Sequence, residues 1–485
     1  MKHLLFGSIL LLFFINGFSQ DKRAVKYSNT ITTSDLKDYL SVLASDSLEG
    51  RETGERGQKM AAAYIAEKFN SFGLEAPVKT DAGMSYFQSY PLKKMTYRTA
   101  YLKKGEDVKT NFEDFIYNSR EETLGEEYVD ILFAGTQTIE NLKKMDLSGK
   151  FLAVVTQEMG NWRKVLAEVK DLDAAGIILI VEDESRFGFI MTRYSRYLQG
   201  SRMALETTTK GNKIIIGNPE LASWIFDMSY DELKEKGKGK TSRLILNADM
   251  LVEDITAENV LGFLKGSEKP EEVLVVTSHY DHIGISENGE INNGADDDGS
   301  GTVTVLEIAQ AFSEAAAKGI KPKRSILFMT VSGEEKGLLG SEYYTENPVF
   351  PLANTVTNLN VDMVGRVDEE HEKNPGYVYV IGADKLSKEL HEVSEMANKT
   401  YTQLDLDYTY NAETDPNRYY YRSDHYNFAK KNVPIIFYFN GSHADYHRPT
   451  DTIEKINFEI MQKRAQLVFF TAWELANRER RVQLD

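Results

Sequence analysis

The sequence predicts an α/β fold with a mostly parallel central sheet, and a second, β-rich domain inserted into it. Three continuous apolar runs of strand length, Val273–Thr277, Ile326–Val331 and Ile435–Phe439, lack the polar alternation of a half-exposed strand. We therefore expect them to be buried on both faces. Apolar residues recur at helical spacing in two segments. Val303–Phe312 lies between the first two runs, and Phe458–Glu474 follows the third. Strands that alternate with helices are typical of parallel sheets, whose ligands collect beyond the carboxyl ends of the strands.

The length of the chain and the pattern of its predicted strands and helices indicate more than one domain. At 485 residues it is too long for one ordinary core, so two or three domains are expected. We predict that residues 20–120 form the N-terminal part of the main domain, with one helix opening at Ser34 and another ended by Gly73. Residues 121–250 are predicted as the inserted domain, because their strands end in no cluster of metal-ligating residues, and residues 251–485 complete the main domain. The strands predicted in the insertion are 128–133, 151–156, 176–181 and 212–216, and a helix is predicted over 162–171.

Composition excludes several classes of function. Lys and Arg total 57 against 74 for Asp and Glu, giving a formal net charge of -17. Nucleic acids and anionic membranes need a basic face, so neither is expected as a partner. The chain contains no Cys, which excludes disulfides, thiol nucleophiles and Cys-based zinc sites. Its stability must then come from its core and from bound metal.

The N-terminus has the pattern of a secretory signal peptide over residues 1–19. Lys2 and His3 precede the apolar run Leu4–Phe14, and small residues follow at the usual spacing before a cut next to Ser19. The apolar run is shorter than the roughly 20 residues that a membrane-spanning helix needs. We therefore expect a secreted or periplasmic protein with no membrane association after cleavage.

Five short stretches in the second half supply carboxylate and imidazole groups, which are ligand types that divalent metals take from proteins. They are His279-Tyr280-Asp281, Asp296-Asp297-Asp298, Glu334-Glu335, Asp362 and Tyr446-His447. Taken singly, most have an ordinary explanation, because histidines and paired glutamates are often exposed and consecutive aspartates can form a turn. Asp362 differs, since it lies between the apolar residues Val361 and Met363, and a buried carboxylate needs a partner.

The order and contexts of these stretches resemble peptidase family M28, a group of co-catalytic zinc enzymes. The resemblance covers residues 34–73 and about 259–476, and it implies the three-layer zinc-exopeptidase fold. Residues 147–150 and 174–176 in the inserted region resemble a protease-associated (PA) domain. The motifs that carry the family resemblance are Glu49-Gly50-Arg51, Ser278-His279-Tyr280-Asp281, Gly294-Ala295-Asp296-Asp297-Asp298-Gly299-Ser300-Gly301, Gly333-Glu334-Glu335, Asn360-Val361-Asp362-Met363, Arg422-Ser423-Asp424-His425 and Tyr446-His447-Arg448-Pro449.

The resemblance implies two Zn²⁺ ions per chain with Asp296 as the ligand that bridges them. One ion would add His279 and Asp362, and the other would add Glu335 and His447. The run of three aspartates leaves a choice open, because sequence alone does not separate Asp296 from its two successors. The remaining histidines near the motifs, His282, His425 and His443, are predicted to be non-ligands.

Three further residues receive catalytic roles from the same resemblance. Asp281 would fix the tautomer of His279. Glu334 would be the general base that activates the water between two metals, whose charge lowers the pKa of that water toward about 7. Tyr446 is a candidate hydrogen-bond donor to the oxyanion, although simple packing explains it equally well.

The implied function is that of a secreted two-zinc aminopeptidase that removes N-terminal residues from peptides. A carboxypeptidase or a glutaminyl cyclase of the same superfamily are alternatives, and a carboxypeptidase would need cationic groups for the terminal carboxylate of its substrate. An alternative of another class is a metal-free, receptor-like binding protein. Residue preference, oligomeric state and the role of the inserted domain are left open by the sequence.

Overall fold

A computed structural model describes residues 20–119, 125–136, 139–156, 172–199, 202–205 and 213–485. The predicted signal peptide and the helix predicted over 162–171 lie outside these residues. The chain forms two compact units, one of residues 1–89 with 257–485 and the other of residues 90–256. None of the described helices combines the length and the apolar character required to cross a membrane.

The second unit begins about thirty residues earlier than the predicted insertion. Residues 92–95 of the strand Phe87–Lys104 pair with Arg202–Leu205, and Ile116–Asn118 pairs with Lys213–Gly217. Pairing of this kind binds the segment before residue 121 into the unit. The predicted start of the inserted domain at residue 121 is therefore corrected to residue 90. The local sequence pattern did not indicate these long-range strand partners.

A parallel sheet forms the centre of the second unit. The strands Glu126–Gly135, Lys150–Thr156, Gly176–Val181 and Lys213–Gly217 lie side by side in this order and all are parallel. Alternate residues of Gly176–Val181 enter separate apolar clusters on the two faces of the sheet, as expected of a strand covered on both sides. Resemblance to a PA domain stays a prediction. Among the described residues, the helices of this unit are Ile139–Leu142, Glu184–Gln199, Pro219–Phe226 and Tyr230–Lys236, and the remaining strands are Asp107–Thr110 and part of Thr241–Leu264.

Four parallel strands form the middle of the sheet in the first unit. Lys269–His279 lies between Arg324–Val331 and Thr355–Val361, and Ile435–Phe439 follows beyond Thr355–Val361. Antiparallel strands flank this group on both sides, with Tyr377–Ile381 on Ile435–Phe439 and residues 260–264 on Arg324–Val331. Because the four central strands run in one direction, their carboxyl ends reach the same edge of the sheet.

Helices cover both faces of this sheet. Leu274 and Val276 point into the larger apolar cluster, which contains the helices Gly301–Ala317 and Phe458–Asn477. Val275, between them, points into a separate cluster on the opposite face. This alternation confirms the predicted three-layer α/β fold. The other helices of the unit are Lys22–Ser28, Thr33–Leu43, Arg56–Ser71, Leu339–Glu346, Lys388–Ala397 and His425–Ala429, and its short strands are Val78–Thr80, Gly83–Ser85 and Asp405–Asp407.

The helix predicted to open at Ser34 begins one residue earlier, at Thr33. The hydroxyl of Thr32 accepts a hydrogen bond from the backbone N–H of Asp35, which is the usual function of a threonine in front of a helix. The backbone N–H of Thr32 donates to Oε2 of Glu307 at 3.0 Å. Glu307 is 1% exposed, and burial raises the pKa of its carboxyl from 4.5 to about 8.

Glu307 predicts a pH dependence of stability. The folded protein holds this proton more tightly than the unfolded chain, so its stabilising contribution falls as pH rises from about 4.5 to about 8. Glu307→Gln keeps a neutral side chain at every pH. We expect its unfolding midpoint in urea to exceed that of the wild type near pH 8.5, with a smaller gain at about pH 5. Glu287→Gln, an exposed change outside this helix, is the control, and an equal gain at both pH values would contradict the assignment.

Candidate metal centre

The candidate site lies where three parallel strands of the first unit end. His279 is the last residue of its strand, and Asp362 directly follows the strand Thr355–Val361. Glu334 and Glu335 follow Arg324–Val331 after a short turn. The predicted convergence at one edge of the sheet is therefore present, because neighbouring parallel strands deliver their carboxyl ends to one place.

Asp297 lies at the centre of the cluster. Its Oδ1 is 3.3 Å from Nε2 of His279, and its Oδ2 is 3.1 Å from Nε2 of His447. Oε2 of Glu335 also lies 3.1 Å from the same nitrogen of His447. The two oxygens of one carboxylate thus face two different imidazoles, which is the arrangement required of a ligand shared by two metal ions.

Asp362 and Glu334 complete the side of the cluster nearest His279. Oδ1 of Asp362 is 3.7 Å and Oε2 of Glu334 is 3.9 Å from Nε2 of His279. The hydroxyl of Ser423 donates to the other oxygen of Asp362 at 2.6 Å, which leaves Oδ1 directed to the cluster. Nitrogen and carboxylate oxygen atoms that converge in this way suit zinc.

The prediction that Asp296 bridges the metals is corrected by this geometry. Its Oδ1 accepts hydrogen bonds from the hydroxyl of Ser300 and the backbone N–H of Gly365, at 2.9 and 2.7 Å. Its Oδ2 is 3.1 Å from Nε2 of His443. Asp296 therefore supports the loop from outside the cluster, and Asp297 takes the position that the sequence interpretation gave to its neighbour.

Two other carboxylates hold the aspartate loop in place. Oδ2 of Asp451 accepts from the backbone N–H groups of Asp296 and Asp297, at 3.0 and 3.1 Å. Asp298 accepts from the backbone N–H groups of His279 and Met363. Burial raises the pKa of Asp298 well above its ordinary value, and the charge of Asp362 acts in the same direction. These bonds fix the backbone on both sides of Asp297.

Asp281 orients His279 mainly through its backbone. Nδ1 of His279 donates to the carbonyl oxygen of Asp281 at 3.0 Å, whereas the nearest carboxylate oxygen is 3.8 Å away. That carboxylate accepts from the hydroxyl of Thr53 at 2.7 Å and from the backbone N–H of Glu334 at 3.3 Å. The predicted support of His279 thus comes from the backbone carbonyl of Asp281 and not from its carboxylate. The carboxylate instead holds the backbone N–H of Glu334.

His282 belongs to the cluster although the sequence interpretation excluded it. Its Nδ1 lies 2.8 Å from Oε1 of Glu335 and 3.8 Å from Oδ2 of Asp297. The ring is completely buried, and a Cβ at Gly294 would lie 2.6 Å from it. In the sequence, the only indication that His282 belongs to the site is its position directly after Asp281. His425 instead hydrogen-bonds the carbonyl oxygen of Tyr420 at 2.8 Å.

The hydrogen-bond inventory provides a test of whether a metal fits. Nε2 of His282 is buried without a hydrogen-bond partner among the described residues. Nδ1 of the same ring, Oδ2 of Asp297 and Oε1 of Glu335 lie within ion-pair distance of neighbouring groups but form no well-directed hydrogen bond. Buried polar atoms are normally paired. Two sets of three side chains each have potential ligand atoms within 4.8 Å of one another. One set is His279, Glu334 and Asp362, and the other is His282, Asp297 and Glu335. Unpaired donors of this chemistry fit divalent cations.

The pKa values of the two adjacent glutamates, Glu334 and Glu335, are shifted in opposite directions. Burial raises the pKa of Glu334 well above its ordinary value, which His279 opposes and the charge of Glu335 reinforces. Burial also tends to raise the pKa of Glu335, but His447 outweighs it and lowers the value to about 2. The same burial therefore makes the carboxylate of Glu334 the more basic of the two, whereas Glu335 stays ionised, as a metal ligand must.

A small open pocket lies beside Glu334 and His279. Tyr446 forms part of its wall and stacks on His447 with ring centroids 3.9 Å apart. Charged, polar and apolar side chains share the rest of the wall. The other residues that line it are Asp297, Asp362, Met363, Tyr419, Arg422, Phe437, Phe439 and Ser442.

A three-layer α/β sheet with imidazoles and carboxylates gathered at its carboxyl edge is the architecture of a metal-dependent hydrolase. The family model of peptidase family M28 matches residues 259–472. This chain therefore carries a domain of peptidase family M28.

Similar proteins agree with this family. Aminopeptidase YwaD of Bacillus subtilis (strain 168) is 29% identical over 234 residues, which are 47% of this chain and 46% of the relative. A probable zinc metalloprotease of Pyrenophora tritici-repentis is 30% identical over 264 residues, covering 46% and 52%. The solved aminopeptidase from Aneurinibacillus sp. strain AM-1 superimposes with a TM-score of 0.60 at 16% identity, over 95% of this chain and 97% of the other. The chain spans about half the length of the two sequence relatives, and the solved structure supports the fold.

Separate substitutions of Asp296 and Asp297 should show which of the two aspartates binds the metal ions. Asp297→Asn removes charge from the carboxylate between His279 and His447, so we expect zinc affinity to fall by more than about a hundredfold. Asp296→Asn should stay within the roughly 10–100-fold typical of residues that only position ligands. Competition with a chromophoric chelator measures both affinities, with circular dichroism to verify folding. The opposite order would restore Asp296 as the bridging residue.

Proposed function

We propose that this protein is a zinc-dependent aminopeptidase that holds two zinc ions and removes N-terminal residues from peptides. The observation that carries the proposal is the position of Asp297 between His279 and His447, with unpaired ligand atoms around it. Membership of the matched domain in a peptidase family and relatives named as aminopeptidases support the reaction class. The predicted signal peptide supports export.

The proposed ligand set uses the corrected bridging residue. His279 and Asp362 would hold one ion, Glu335 and His447 the other, and Asp297 both. Zinc in such a site polarises a carbonyl group and makes coordinated water more acidic. His282 is close enough to Glu335 to hold that carboxylate in place or to join it as a ligand.

Glu334 is the proposed general base. It lines the pocket next to His279, and its backbone N–H is held by the carboxylate of Asp281. Burial raises its pKa, which makes the carboxylate a stronger base for accepting a proton from the attacking water and returning it to the leaving amine. Tyr446, on the same wall, is the proposed donor to the developing oxyanion.

One observation favours a second candidate, a carboxypeptidase. Arg422 in the pocket wall is a cation that could receive the terminal carboxylate of a peptide. Peptides blocked at one end separate the candidates. An aminopeptidase requires a free amino terminus and cleaves substrates with an amidated carboxyl end, whereas a carboxypeptidase shows the reverse preference.

Glu334→Gln tests the base. We expect it to keep zinc and a normal melting temperature but to lose roughly 10²–10⁴-fold in kcat, since it cannot accept the proton. The measurement is hydrolysis of leucine p-nitroanilide, with zinc content by plasma mass spectrometry. Glu346→Gln, which changes an exposed glutamate paired with Lys431, is the matched control. Full activity of Glu334→Gln would contradict the assignment of Glu334 as the general base.

Metal removal tests the site as a whole. The buried carboxylates face one another without compensation when zinc is absent, so we expect a chelator to abolish hydrolysis and to lower the melting temperature. Two equivalents of zinc per chain should restore both, as followed by calorimetric titration. Saturation at one equivalent would contradict the two-ion proposal, and retention of activity in the chelator would contradict zinc dependence.

A further inference from the structure

His282 is a buried histidine at the cluster that the proposed ligand set does not use. Its ring is fully buried, and Nδ1 lies 2.8 Å from Oε1 of Glu335 and 3.8 Å from Oδ2 of Asp297. His447 faces the same two carboxylates, since its Nε2 is 3.1 Å from one oxygen of each. Two imidazoles therefore approach Asp297 and Glu335 together.

The contact between His282 and Glu335 has the length of a hydrogen bond but not its direction. Nδ1 and Oε1 are 2.8 Å apart, yet neither atom forms a well-directed hydrogen bond with any described residue. Two groups that bind one cation have this relation, because each directs its lone pair to the ion and not to the other group. Ligand atoms of tetrahedral zinc lie roughly 3.3 Å apart when each bond is about 2.0–2.1 Å long. The distances from Glu335 to His282 and His447 are close to this value.

Backbone contacts hold the ring of His282 against the two carboxylates. The backbone N–H of His282 donates to the carbonyl oxygen of Arg51 at 3.2 Å. Gly294 packs against the ring, and a Cβ at that position would lie 2.6 Å from Cγ of His282, so glycine leaves the room that the ring needs. A ring that is already fixed loses little conformational entropy when it binds an ion.

The two sides of the cluster differ in their access to the pocket. His279 and Asp362 line the pocket, whereas His282, Glu335 and His447 do not belong to its lining. The side chain of Glu335 is 6% exposed, and that of His447, on the outer side of this set, is 37% exposed. The side of His279 is therefore the one that a substrate in the pocket contacts.

We propose that His282 binds the same ion as Glu335 and His447, so that this ion has four protein ligands with Asp297 as the fourth. The inference rests on the two-ion part of the proposed function and adds a ligand to it. Four protein ligands are typical of zinc sites without an open coordination position, whereas three ligands leave one position open. The other ion keeps three protein ligands and the open position beside the pocket. The two ions are therefore unequal, and the enclosed one is held more tightly.

X-ray absorption of the full chain with one equivalent of zinc counts the imidazoles at the more tightly held ion. We expect two imidazoles in the wild type and one in His282→Asn. Asparagine can still donate a hydrogen bond to Glu335 from near the position of Nδ1, so the variant keeps the support of that carboxylate and loses the ligand. One imidazole in the wild type overturns the inference, and this measurement does not depend on the folding of a variant.

Competition between the metal-free chain and a chromophoric chelator measures the two zinc affinities. The wild type should bind zinc in two separate steps. His282→Asn should weaken the tighter step by more than about a hundredfold, beyond the roughly 10–100-fold typical of residues that only position a ligand. Asp362→Asn should weaken the other step instead. His391→Asn, on the helix Lys388–Ala397 and outside both ligand sets, is the matched control.

The outcomes separate this inference from the proposed function. Two equal zinc steps overturn the inference, as does a tighter step that His282→Asn weakens only within the range of a positioning residue. Hydrolysis of leucine p-nitroanilide by the zinc-loaded chain leaves the aminopeptidase proposal intact in either case. Two imidazoles at the tighter ion without hydrolysis of any peptide substrate support the ligand assignment and contradict the proposed reaction.

Discussion

The carboxyl edge of the central sheet is organised by the need to compensate buried negative charge. Carboxylates that lie this close and away from water are costly unless each has a hydrogen-bond donor or a cation. Asp296, Asp298 and Asp451 find their donors in backbone N–H groups. Asp297 and Glu335 face imidazoles and retain unpaired oxygens. The first group holds the loop, and the second offers oxygens that a cation could compensate, so the loop and the proposed metal centre answer the same electrostatic constraint.

A buried arginine joins the separate loops of this edge. The guanidinium of Arg51, which is 1% exposed, donates to the backbone carbonyls of Tyr280, Asn293 and Gly294. It thereby ties the loop after His279 to the loop that carries the aspartates. Burial alone would lower the pKa of Arg51, and the carboxylates of the cluster oppose that effect. A segment near the N-terminus thus belongs to the site, although it supplies no ligand.

The parts of the site that follow from strand direction could be predicted from the sequence, and those set by loop conformation could not. Apolar runs located the ends of the central strands, so the convergence of His279, Glu335 and Asp362 followed. Choosing Asp297 over Asp296 depends on the hydroxyl of Ser300, which donates to Asp296, and on the carboxylate of Asp451, which accepts from the backbone N–H of Asp297. No local sequence pattern reveals these contacts. The buried position of His282 and the start of the second unit at residue 90 depend in the same way on distant partners.

Ligand residues and pocket residues come from different parts of the fold. The loops after the parallel strands carry most of the cluster, whereas the cation and two aromatic rings of the pocket wall, Arg422, Tyr419 and Tyr446, come from the later segment 419–446. The same segment also touches the cluster, because the hydroxyl of Ser423 donates to Asp362 and the ring of Tyr446 stacks on His447. The pocket wall and the cluster are therefore coupled, and a change in this segment that reshapes the wall can also shift Asp362 or His447.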